Sequence, residues 1–65
     1  MNQVDVTVEN HGTIFLFFPQ TEAGKDWITE NLADDAMWLG DGLVVEHGYA
    51  HDLAEGMIVD GLSLQ

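Results

Sequence analysis

The sequence predicts an α+β domain: a small, mainly antiparallel sheet in the order β-β-α-β-β-α, with two helices packed on one face and a further short C-terminal strand compatible with it. Three observations lead there. Val4, Val6 and Val8 alternate with Asp5, Thr7 and Glu9, the period-2 signature of a strand with one buried and one acidic, solvated face. Two turn-forming tracts, Asn10-His11-Gly12 and Gly40-Asp41-Gly42, separate β-prone segments. Two other stretches carry apolar residues at helical spacing.

Taken in order, the first strand turns through Asn10-His11-Gly12 into Ile14-Phe15-Leu16-Phe17-Phe18, an unbroken apolar run that reads as a strand buried on both faces. Pro19 ends it, because proline lacks the N–H a strand or helix interior needs. Thr21 then serves as the N-cap of a helix running to about Leu32, with Glu22 in its first turn complementing the helix dipole. The expected inner face of this helix is Ala23, Trp27, Ile28 and Leu32. Ala36 to Leu39, the glycine-rich turn and Leu43-Val44-Val45-Glu46 form a second hairpin. From about Tyr49 to Asp60, Ala50, Leu53, Ala54, Met57 and Ile58 recur at helical spacing, and Gly61 stands where a C′ glycine ends a helix. Leu62-Ser63-Leu64 supplies the further edge strand.

All 65 residues are needed for one core, so a single domain, 1–65, is expected. The hydrophobic fraction of 46% is well above that of disordered acidic tails, so the chain folds. It has no cysteine, which excludes disulfides and thiolate zinc sites and fits a reducing cytoplasm. The N-terminal Asn2, Gln3 and Asp5 do not resemble an export signal, and no stretch approaches the roughly 20 apolar residues of a membrane span.

Charge is the most informative property. Twelve Asp and Glu stand against the single Lys25, a net charge of −11. Phosphates are bound by clustered Lys and Arg, so direct nucleic-acid binding is excluded and a basic partner is expected. Glu22, Asp26 and Glu30 follow at i, i+4, i+8 and project away from the apolar helix face as an acidic stripe. These like-charge pairs each cost about 0.2–0.5 kcal/mol, and Asp34, Asp35 and Asp60 lie near helix C-termini, where the dipole favours cations. Helix stability does not account for them. A duplex carries about one charge per 1.7 Å, and a globule of this length has a radius of gyration of roughly 11 Å, so mimicry of DNA is quantitatively open. Solubility of a small apolar domain, or a salt-loving source, would also account for acidic charge.

His47 and His51 lie four apart with His11 elsewhere, but Gly48 is expected to hold His47 outside the helix, so no metal site or cofactor is expected. A lone Ser63 with no base supplied nearby, and no cysteine, argue against an enzyme. Trp27, on the helix's apolar face, and Trp38 are both expected in the core, whereas an exposed Trp38 would instead be an interface anchor.

With Asn10-His11-Gly12 leading into Ile14-Phe15-Leu16, the Trp38-Leu39-Gly40-Asp41 turn and Val44-Val45-Glu46-His47-Gly48-Tyr49-Ala50, the chain resembles, over nearly its whole length, the short acidic anti-CRISPR proteins directed against type I-C systems. The resemblance implies a phage-derived or mobile-element inhibitor, acting in the cytoplasm of a bacterial host, that binds the CRISPR surveillance complex and keeps target DNA out. The residues expected to meet its Lys and Arg come from charge alone: Glu22, Asp26, Glu30, Asp34 and Asp35, helped by Asp5, Glu9, Asp52 and Glu55. The alternative is an antitoxin-like or adaptor module that binds through an apolar patch around Trp38 and Leu39.

Overall fold

The structure, a computed structural model, describes residues 3–32 and 36–65. Its order is β1 (Val6–Asn10), β2 (Ile14–Pro19), α1 (Glu22–Asn31), β3 (Trp38–Leu39), β4 (Gly42–Glu46) and α2 (His47–Val59). The four strands form one antiparallel sheet in the spatial order β1-β2-β4-β3. The fold is therefore the small α+β architecture expected, and the two hairpins join through β4.

Each turn follows from its residues. Gly12 has φ +88°, and its N–H donates to Asn10 Oδ1 at 2.8 Å, an Asx turn closing the first hairpin. Gly40, with φ +59°, opens the second.

The C-terminal segment adds to the outer edge of β1. Leu64 bridges Val6 in the parallel sense, with Val8 N–H donating to Gln65 O at 2.9 Å and Gln65 N–H to Val6 O at 3.1 Å. This pairing satisfies part of an edge that would otherwise present free backbone groups.

The core lies between one sheet face and both helices. Val6, Phe17, Leu43 and Val45 from the sheet meet Ile28 of α1 and Ala50, Leu53 and Met57 of α2. The helix faces differ from expectation in two places. Ala23 is exposed, and Gly24 is the buried residue of the first turn of α1. A Cβ at Gly24 would lie 2.5 Å from the backbone oxygen of Asp5, so α1 approaches β1 too closely for any side chain. On α2, Ile58 is exposed, because Ala50, Leu53 and Met57 already complete the buried stripe.

The start of α2 is also earlier than the sequence predicts. The helix begins at His47, directly from β4, and Gly48 lies inside it. Its end is as expected: Gly61 has φ +98°, Leu62 N–H donates to Met57 O at 2.9 Å and Gly61 N–H to Ile58 O at 3.0 Å, the Schellman pair.

β2 is apolar on both faces, but helices cover only one. Cross-strand partners share a face, so the register places Leu16 beside Glu9 and Val44, and Ile14 beside Glu46, on the side away from the helices. Leu16 is buried outside the main core cluster.

Candidate functional site

Because α1 and α2 pack on the same sheet face, their outer surfaces point the same way, and this outward layer holds most of the acidic residues expected to meet a partner. Thr21 positions α1: its Oγ1 accepts from Gly24 N–H at 3.1 Å, an N-cap bond that sets the phase of the helix. That phase leaves Glu22, Asp26 and Glu30 all exposed along one side. On α2, Asp52 and Glu55 are exposed as well. The stripe read from the sequence is thus one part of a two-helix acidic surface.

The other expected residues fall elsewhere. Glu9 is exposed on the opposite sheet face, hydrogen-bonded at 3.0 Å to His11 Nε2. Asp34 and Asp35 lie outside the described residues.

Asp5 is half-buried and committed within the fold. Its Oδ1 accepts from Thr21 Oγ1 at 2.6 Å, and its Oδ2 accepts from Ser63 N–H at 2.9 Å. The Thr21 hydroxyl above all, then the Ser63 amide, hold its carboxyl below the usual carboxylate range. Asp60, whose place at a helix C-terminus the sequence leaves unexplained, accepts from Trp27 Nε1 at 2.7 Å and ties α1 to the end of α2.

Among the described residues, the ion pairs within reach are His11 with Glu9 at 3.0 Å and His51 with Glu55 at 3.4 Å, and none involves Lys25. The acidic layer is therefore not neutralised internally by Lys or Arg.

His47 and His51 share a helix face after all, since α2 begins at His47. They flank an apolar hollow of about 260 Å³ with Val8, Phe15 and Ala54, and the His47 ring lies 5.6 Å from that of Phe15. Among the described residues no group of three His, Asp or Glu side chains is placed to hold a metal ion.

Large apolar side chains are exposed in two places among the described residues: Met37, Trp38 and Leu39 at and just before the short edge strand, with Trp38 46% exposed, and Tyr49, Ile58 and Val59 on α2. Trp38 is therefore not the core residue expected, because β3 is the edge of the sheet and leaves it at the surface, while Trp27 packs half-buried against the core. Among the described residues no helix is long and apolar enough to cross a membrane.

No protein-family model, curated protein or solved structure matches the chain.

Proposed function

We propose that this protein inhibits a nucleic-acid-binding complex by occupying its basic DNA path, and that the type I-C CRISPR surveillance complex, which the sequence resemblance implies, is its target. The observation that carries this reading is the outward layer of α1 and α2, where Glu22, Asp26, Glu30, Asp52 and Glu55 are exposed and make no ion pair with Lys or Arg among the described residues. The dimensions set the scale of the contact. The five carboxylates of this layer over a longest axis of 33 Å amount to about one per 7 Å, about half the density of charges along one DNA strand, which follow at about 3.4 Å. Side chains at i and i+4 are about 5–6 Å apart, so the α1 stripe offers a short track of negative charge.

Binding of this kind is steered by long-range electrostatics, so association is fast at low salt and slows as salt is added. The test is whether the purified protein prevents a type I-C surveillance complex from binding its target DNA. The control is a variant with Glu22→Gln, Asp26→Asn and Glu30→Gln. Inhibition by the wild type that is lost in the variant supports mimicry through α1, whereas a wild type without effect on DNA binding overturns the target.

A second reading, an interaction module for a different protein, is favoured by the exposure of Met37, Trp38 and Leu39. In that case Trp38→Ala weakens binding more than neutralising the α1 stripe does.

A further inference from the structure

The first two turns of α2 carry a pair of side chains that DNA mimicry does not use. His47 and His51 are four residues apart, and because the helix begins at His47 both belong to it and share one face. The pair is held in place. His47 N–H donates to Thr13 O at 3.1 Å, which ties the start of α2 to the first hairpin, and its ring rests against Phe15, 5.6 Å between centroids. His51 leans back towards His47, since helical side chains point to the N-terminal end of their helix. Both border the hollow of about 260 Å³, whose other lining side chains are all apolar, so the two imidazoles are its only side-chain ligating groups. Among the described residues the His47 ring takes part in no hydrogen bond or ion pair, and His51 meets only Glu55, at 3.4 Å.

We propose that His47 and His51 chelate one divalent transition-metal ion of the kind imidazole prefers, Zn²⁺, Ni²⁺ or Cu²⁺, with water in its remaining positions. Two imidazoles at i and i+4 on one helix face is the spacing at which helices hold zinc. Imidazole selects these ions over Mg²⁺ and Ca²⁺, which take oxygen ligands. Fixing both rings on one helix makes the second ligation intramolecular, so the pair outbinds a single ring such as His11. A ligating His commonly donates its other ring N–H to a carboxylate, and Glu55 Oε2, 3.4 Å from His51 Nε2, is placed to accept it. The helix dipole opposes a cation at an N-terminus, but its effect decays within the first turn, and a net charge of −11 gathers dications around the chain. Among the described residues no third His, Asp or Glu side chain completes the set, so the ion is exchangeable, unlike that of a closed four-ligand structural site. This site stands apart from the acidic contact with a basic partner and does not rest on it.

The test titrates zinc chloride into the isotope-labelled full chain and follows backbone amides by NMR, with magnesium chloride as the control for diffuse binding to carboxylates. Zinc is expected to move the amides of His47, His51 and Phe15 at concentrations where magnesium leaves them in place. The melting temperature is expected to rise with zinc, as it does for any ligand that binds only the folded state. His47→Gln and His51→Gln, both at exposed positions, are each expected to weaken zinc more than about tenfold, the low end of what losing even an outer partner of a metal ligand costs. His11→Gln is expected to leave zinc binding unchanged. Amide spectra without metal check that each variant is folded. The proposal is overturned by zinc shifts that match those of magnesium, by no shift at His47 and His51, or by a zinc response that survives in His51→Gln.

Discussion

Asp5 joins three segments distant in the chain: the residues leading into β1, the start of α1 through Thr21 and the C-terminal segment through Ser63. Because the fold holds its carboxyl below the ordinary value of 3.8, its contribution to stability is present in full above that value and is lost as pH falls through the lower folded value. Asp5→Asn replaces one acceptor oxygen with a donor, so the side chain can no longer accept from both the Thr21 hydroxyl and the Ser63 N–H. The urea midpoint of this variant is expected below that of the wild type at neutral pH, with the gap closing under acid; a gap independent of pH would assign the effect to shape alone. Gly24 makes a similar point by different means. Glycine inside a helix ordinarily costs about 1 kcal/mol relative to Ala, yet here Gly24→Ala forces a Cβ onto the Asp5 carbonyl. A loss of about 1–3 kcal/mol is expected in chemical denaturation, the reverse of the helix-propensity trend.

At the scale of the element, α1 trades stability for a surface. Asp26 has like charges four residues away on both sides, so Asp26→Asn relieves two repulsions and is expected to stabilise the fold by about 0.4–1 kcal/mol. The same variant is expected to lower affinity for a basic partner. Thermal melts and binding curves moving in opposite directions would show that function, not folding, retains the carboxylate. The join of α1 to α2 rests partly on the hydrogen bond from Trp27 to Asp60, with the Trp27 ring against Gly56. Trp27→Phe keeps most of the ring and removes the donor, so a loss of about 0.5–1.5 kcal/mol is expected in urea unfolding. The stripe on α1 was legible from spacing, but the burial of Gly24 in place of Ala23 was not, because hydropathy does not register how closely two backbones approach.

Across the whole molecule, extents of 33 × 23 × 22 Å carry a net charge of −11, so the folded state repels itself. Salt screens this over a Debye length that shrinks from about 30 Å at about 0.01 M to about 3 Å at about 1 M. The melting temperature is therefore expected to rise with sodium chloride while association with a basic partner slows. A melting temperature that does not move across that range would show that the acidic groups are too far apart to interact through water.

Local chemistry in the sequence by itself determined the α+β class, both hairpin turns, the Thr21 cap, the Gly61 stop and the acidic stripe of α1, since each depends on residues a few positions apart. Tertiary structure alone decided that β4 lies inside the sheet and β3 at its edge, that helix α2 takes in His47, and that Asp5 is a tie between distant segments. It also decided that the second apolar face of β2 stays uncovered by either helix. These outcomes depend on which surfaces meet across long chain separations, and periodicity within a segment holds no record of the segment that packs against it.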